Sequence, residues 1–590
     1  ESRGLGDVYK RQLLFGACLE KSRKAPIYVI YFIQQEKGET MQKHRKFIGD
    51  KRFYLMVLGV AMPIMIQNGI TNFVSLLDNI MVGQVGTEQM SGVAIVNQLL
   101  FIYNLCIFGG VSGAGIFTAQ YFGQGNDEGV RNTFRFKLWI GVILTATAIA
   151  VFLGAHEPLI RLYLTGDQGS QDMNATLSYG VSYMKVMLVG LPPFLFVQLY
   201  ASTLRECGET MLPMKAGITA VFVNLIFNYI LIYGKLGAPQ LGVVGAAVAT
   251  VLSRYVEMAI VLICTHGNKE KYRFTKHLYR TIRVPAALTK QILIKGTPLM
   301  LNETFWAGGV AILMQCYSVR GLNVVAAMNI SNTISNLFNI VFIALGDSVA
   351  IIVGQLLGAG RMEEAKDTDT KLITFSVLLC IVIGALMALV APLFPRLYNT
   401  TDEVRHMAAI FIVEVAMFMP VNAFLHASYF TLRSGGKTII TFLFDSVFIW
   451  VVSVPVAFCL SRFTGLSIYA IYFMVMSVDL IKCVIGFVLV KKGVWLQNIA
   501  AETITVEGRE IMLSDVADIR LAGELTDYDV MRDTGMIGNF TFAPEACRDA
   551  AELELMRYGD FACTVSCHLK LASGKICADD IRLVSHTHKI

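Results

Sequence analysis

"AQYFGQG" at 119–125 and "GQLLGAG" at 354–360 are the stretches on which the fold turns. Aligned at a shift of 235 positions, Gln120, Gly123 and Gly125 meet Gln355, Gly358 and Gly360. The same ungapped shift carries Pro63 to Pro298, Asn97 to Asn332 and Asn104 to Asn339. Further along the shift becomes 228: "TLRECGET" at 203–210 falls on "TLRSGGKT" at 431–438, and Pro192 on Pro420. So many matches at near-constant offset mean that one structural unit occurs twice.

The unit belongs in a membrane. The 590 residues are 55% hydrophobic and 16% charged, with mean hydropathy +0.56. Soluble domains carry about 25% charged residues. Apolar runs near the length that crosses a bilayer recur along the chain. They predict spans over 53–80, 91–121, 136–155, 181–204, 213–234 and 242–265, then 290–318, 325–357, 371–395, 407–432, 438–460 and 467–490. The fold class is therefore all-α integral membrane, with twelve transmembrane helices in two six-helix repeats. Six is even, so both halves enter from the same side. The repeats are then parallel, related by an axis along the membrane normal, with a substrate path between two lobes.

Lys and Arg concentrate on one side, in "KHRKFIGDKR" at 43–52 and "KEKYRFTKHLYRTIR" at 269–283. Short basic loops stay cytoplasmic, which places both termini in the cytoplasm. Residues 41–265 form the first lobe, 266–289 a basic cytoplasmic linker and 290–497 the second lobe. Residues 1–40, beginning "ESRGLGDVYKRQ", read as an upstream or adapter extension, with Met41 the more plausible start. Residues 498–590 form a polar tail that reads as a soluble appendage or a fusion; its last 90 positions hold 16 Asp/Glu against 9 Lys/Arg. The twelve cysteines show no disulfide framework.

Polar residues inside spans are costly and mark function or internal pairing. In the first span Gln67, Asn68, Thr71, Asn72, Ser75 and Asp78 follow three- and four-residue steps, which makes one stripe on a helix. It is either helix–helix glue or a proton or substrate site around Asp78. In the seventh span Glu303 stands beside Asn302, after Pro298, which frees a backbone carbonyl. Carboxylate plus carbonyl makes a plausible cation or proton site. Glu303 falls opposite Asn68 of the first repeat, so equivalent positions of the lobes differ in charge. The eighth span adds Asn332, Ser335, Asn336 and Asn339, amides suited to a cavity wall, and ends in Asp347. Glu257, three residues after Arg254, points to an internal ion pair, whereas Glu414, Asp445 and Asp479 have no specific account.

"PIMIQNGITNFVSLLDNIMVGQVG", "GIFTAQYFGQGNDE", "LNETFW", "VGQLLGAGRMEEA" and "YFTLRSGGKT" together resemble the multidrug and toxic compound extrusion (MATE) family of cation-coupled antiporters, over residues 45–495. The resemblance implies export of small cationic or amphipathic compounds across a bacterial plasma membrane, in exchange for Na+ or H+, by alternating access. It implies that Glu303 contributes to the coupling-ion site of the second lobe. It also exposes a departure: where the family often carries a second acid in the tenth span, this chain has Asn422, which leaves Asp347 or His426 as substitutes. His426 titrates near neutrality in isolation. Expected partners are small molecules and the lipid bilayer, for a monomer with neither nucleic acid nor an ATPase subunit. No cofactor beyond the coupling cation is expected, and no enzyme activity.

Two motifs fail. "SGGKT" at 434–438 lacks the earlier glycine of a phosphate loop, because position 431 is Thr. Cys563, Cys567, His568, Cys577, His586 and His588 fit no zinc spacing. Rival readings are a lipid-linked oligosaccharide flippase, which needs basic residues along its cavity, and a channel or sensor with the tail as output.

Overall fold

The computed structural model describes residues 47–164, 173–398 and 400–500, and five strands beyond them. The extension assigned to 1–40 lies outside the described residues. The first repeat contains α1 (Lys51–Gly83), α2 (Thr87–Gln124), α3 (Asp127–Arg161), α4 (Met173–Val189), α5 (Leu191–Glu206), α6 (Met211–Tyr233) and α7 (Gly242–Gly267). The second contains α8 (Ala286–Ser318), α9 (Leu322–Gly358), α10 (Met362–Val390), α11 (Asp402–Ser434), α12 (Thr438–Phe463) and α13 (Ile468–Lys491). α4 and α5 make one broken span, bent by 48° at Gly190, where Pro192 and Pro193 open the second segment. The twelve spans are thus present as helices in two lobes.

Among the described residues, ten of these helices are long and apolar enough to cross a membrane, or eleven with the bent pair. The remaining one is α8, whose Asn302, Glu303 and neighbouring threonines dilute its hydropathy.

The repeat is written into the turns. Gly125 and its mate Gly360 have φ of 76° and 74°, and Gly208 and Gly436 have 77° and 70°. Side chains with a Cβ rarely adopt this left-handed geometry, so glycine recurs where the same helix end is built twice. Asn126 caps α3 by accepting from the amide of Gly129 at 2.8 Å.

The lobes meet where α2 and α9 end. Gln120 Nε2 donates to the carbonyl of Ser434 at 2.9 Å, and its repeat mate Gln355 donates to the carbonyl of Glu206 at 2.7 Å. Ser434 and Glu206 are themselves mates at the 228 shift, so one inter-lobe bond is made twice. The backbones are close: a Cβ on Gly123 would stand 2.0 Å from the Gln355 carbonyl oxygen, and one on Gly358 2.0 Å from that of Gln120. A methyl group there must push two helices apart. Gly358→Ala is therefore expected to cost about 1–3 kcal/mol, read as a lower melting temperature of the purified protein.

The basic linker packs on the first lobe. Arg135 donates from Nε to the Leu278 carbonyl at 3.0 Å and from Nη2 to that of His277 at 3.2 Å. Lys271 pairs with Glu209, and burial pushes the Tyr272 hydroxyl above its ordinary pKa.

The helical unit runs on to Ile499, so Asn498 and Ile499, assigned above to the tail, belong to it. Both are hydrogen-bonded beneath the helix ends: Asn498 Nδ2 to the Gly358 carbonyl at 3.0 Å, and the Ile499 amide to Gln120 Oε1 at 2.7 Å. The second unit, from Ala500, contains β1 (Thr503–Val506) antiparallel to β2 (Arg509–Met512), and an antiparallel β3 (Val516–Leu525), β4 (Cys563–Leu571), β5 (Ile576–Cys577) sheet. His586 and His588 lie outside the described residues.

Candidate functional site

A cavity of ≈ 150 Å³ opens between the lobes, above the paired glutamines. Its walls come from α2, α5, α9 and α11, and its polar side chains include Gln198, Ser202, Arg205, Glu206, Asp347 and Arg433. Arg205 and Arg433 are repeat mates, one from each "TLR". Their charges act on Asp347 of α9, which lines the same cavity. Arg205 also donates from Nη2 to Gln67 Oε1 at 2.7 Å, which ties α5 to α1. Glu206 is held by Lys137 of α3, a fully buried lysine whose Nζ also donates to Thr203 Oγ1 at 3.1 Å and Ser202 Oγ at 3.3 Å.

Glu303 lies in a second polar cluster, within the C-terminal lobe. It is half-buried and makes no hydrogen bond or ion pair among the described residues, while the charges of Arg433 and Asp445 act on it. Its neighbour Asn302 is fully engaged. Asn302 Nδ2 donates to Asp445 Oδ2 at 3.2 Å and Tyr429 Oη at 3.3 Å, and Ser446 Oγ donates to the Asn302 carbonyl and Oδ1, both at 2.7 Å. Asp445 Oδ1 accepts from Lys482 of α13 at 2.7 Å. His426 packs its ring against Phe342, Tyr429 and Phe430 and against α9 at Gly346, where a Cβ would stand 2.6 Å from its Cδ2. Asn422 is half-buried one turn earlier on α11.

The sequence-based candidates therefore separate. Glu303 and Asp347 do not hydrogen-bond to each other; they occupy different clusters that share the charge of Arg433. The first-span stripe divides too. Gln67 turns to Arg205, Asn68 is half-buried and Asn72 exposed. Asp78, about 16 Å beyond Gln67 along α1 at 1.5 Å per residue, sits among amides. Asn228 Nδ2 donates to it at 2.6 Å. Asn224, with its amide nitrogen turned inward, donates to both Asp78 oxygens at 3.0 and 3.1 Å. Asn332 and Asn336, expected on a cavity wall, are exposed and do not line this cavity, because it opens on the later turns of α9; Asn339 is half-buried. Arg254 and Glu257 pair at 3.5 Å, whereas Glu414 is buried with Oε2 unpartnered among the described residues.

Sequence reasoning missed the interior cations. Lys137, Arg205, Arg433 and Lys482 all sit inside the bundle, although acids and amides dominate the spans by count. The two "TLR" matches carried the signal for the arginines. Among the described residues, no group of three or more His, Cys, Asp or Glu could hold a metal ion.

The sequence model of the MatE family matches residues 63–230 and 298–459. A probable multidrug resistance protein NorM of Thermotoga maritima is 24% identical over 445 residues, which cover 74% of this chain and 92% of that one. A probable multidrug resistance protein YoeA of Bacillus subtilis is 24% identical over 418 residues, 70% of this chain and 87% of that one. Among solved structures, the fold is similar to an outward-facing multidrug resistance transporter of the MATE family, with TM-score 0.67, 20% identity and coverage of 74% and 95%. It is also similar to a MOP superfamily transporter of Pyrococcus furiosus with a binding pocket of reversed polarity, with TM-score 0.66, 19% identity and the same coverage.

Proposed function

This chain belongs to the MatE family, and from that premise we propose that it is a secondary antiporter exporting small cationic or amphipathic compounds in exchange for Na+ or H+. It is a multi-pass membrane transport protein rather than an enzyme. The observation that carries the reading is Glu303, a half-buried carboxyl that makes no hydrogen bond or ion pair among the described residues, while Asp445 near it is engaged by Lys482 and Asn302. A carboxyl left without a partner inside a bundle is held ready for a mobile cation. Substrate in the inter-lobe cavity and a cation at Glu303 would favour opposite-facing states, which couples their movements. With both termini cytoplasmic, the paired-glutamine closure lies on the cytoplasmic side, and the cavity belongs to an outward-facing state.

The flippase reading needs uncompensated positive charge in the cavity to meet a diphosphate. Arg205 and Arg433 are there, but Asp347 and Glu206 stand beside them, which favours the antiporter. Dye efflux from proteoliposomes under an imposed gradient tests the proposal. Glu303→Gln is expected to bring efflux down to the rate seen without a gradient; undiminished gradient-driven efflux would overturn the assignment. Deleting residues 500–590 is expected to leave efflux intact, and its loss would favour the sensor.

A further inference from the structure

Around Asp445 the C-terminal lobe already contains a cation of its own. Lys482 is 8% exposed, and its ammonium pairs with Asp445 Oδ1 at 2.7 Å while also facing the ring of Phe444 at 5.3 Å. The other carboxylate oxygen, Oδ2, is taken by Asn302 at 3.2 Å. The π-helical turns at Leu443–Val447 and Ile449–Ser453 set Asp445 and Ser446, adjacent in sequence, both on Asn302. Such wide turns recur at functional sites.

The chemistry of a hard cation then decides. A metal ion such as sodium is held by several oxygens at once, carboxylates foremost. Near Glu303 the acid that could join such a cage is Asp445. A second cation on Asp445 would stand against the lysine ammonium at short range, in a site where repulsion is poorly screened. Position 422, an amide, supplies no charge. Asp347 faces Arg205 and Arg433 instead. A proton, by contrast, needs one carboxyl oxygen and no cage. Among the described residues, Arg433 of α11 and Asp445 of α12 act on Glu303, and the titratable groups of the surrounding cluster are Tyr429 and His426 of α11 and Lys482 and Asp479 of α13.

We propose that the ammonium of Lys482, paired to Asp445, occupies the metal-cation seat of the C-terminal lobe, so that transport is driven without sodium and Glu303 carries a proton alone. The proposal rests on the antiporter reading above, with Glu303 as its coupling group. It makes Lys482 a residue that selects the coupling ion by excluding one of the two candidates.

The test uses the full-length protein in two formats. Sodium chloride is titrated into purified protein in a sodium-free buffer and the heat recorded, and dye efflux from proteoliposomes is followed under a sodium gradient alone and a pH gradient alone. The wild type is expected to give no saturable sodium heat and no sodium-driven efflux, with efflux under the pH gradient. Lys482→Gln, which keeps a donor for Asp445 and removes the charge, is expected to gain saturable sodium binding and at least a several-fold sodium stimulation. Lys482→Gln combined with Asp445→Asn is expected to lose both again. Saturable sodium binding by the wild type overturns the proposal, and so does a monodisperse Lys482→Gln protein that binds sodium no better than wild type. A wild type indifferent to both gradients would instead overturn the antiporter reading, while the sodium titration still judges the lysine.

Discussion

Replacing Lys137 with methionine is expected to lower stability by about 3–5 kcal/mol, the cost of leaving a buried charge without its partner. The lysine side chain is fully buried, and Glu206 is 17% exposed, so water does little to compensate the carboxylate left behind. Methionine fills a similar volume, which separates the charge effect from a cavity effect. The consequence reaches further than one ion pair. Glu206 ends α5, and its carbonyl accepts the bond from Gln355 across the lobes at 2.7 Å. A loosened α5 end therefore weakens one of the two mated inter-lobe contacts. Against a total stability of about 5–15 kcal/mol, a loss of this size shows plainly as a fall in melting temperature in detergent. Lys137→Met together with Glu206→Gln is expected to recover most of it, since no bare charge remains. A single mutant that melts with the wild type would show that the pair contributes nothing.

Much of the architecture is legible from spacing. The constant offset between repeats reflects backbone requirements that recur: left-handed glycines at 125 and 360 and at 208 and 436, and crossing glycines at 123 and 358. A requirement of the backbone leaves a residue type in the sequence, so it can be read without a structure. The interior ion pairs leave no such trace. Lys137 meets a residue 69 positions away and Lys482 one 37 positions away, on different helices, and neither spacing has a period. Near the end of an apolar run a lysine also looks like one that reaches out to the membrane surface. The same limit explains Glu303. Its type and place were visible, but its neighbours Asp445 and Arg433 come from α12 and α11, so the choice among Asp347, Asn422 and His426 as its partner could not be made from spacing.

Trp495→Ala is expected both to destabilise the protein, by about 3–5 kcal/mol for a large buried aromatic, and to loosen the closed ends of the lobes. Trp495 is 1% exposed and follows α13, and its indole donates to the Val490 carbonyl at 3.1 Å. Its own carbonyl lies against Gly435, where a Cβ would stand 1.8 Å away, so the segment is seated on the turn that follows α11. From that anchor the chain runs beneath both repeats. The Gln497 carbonyl accepts from Gln120 at 3.2 Å, Asn498 reaches Gly358, and the Ile499 amide donates to Gln120. Gln120 belongs to the first lobe and Gly358 to the second, so this short strap spans the seam that must part if the transporter is to open on that side. Removing the indole frees the strap at its anchored end and leaves the mated glutamines and the glycine crossings to hold the seam without it. The seam can be watched directly, because Ala119 Cβ and a Cβ built on Gly354 would stand 3.1 Å apart. With the native cysteines replaced, Ala119→Cys and Gly354→Cys are expected to cross-link readily in the closed state, within the small adjustment that disulfide geometry requires. Adding Trp495→Ala is expected to slow that cross-link; an unchanged rate together with an unchanged melting temperature would show that the strap holds nothing shut.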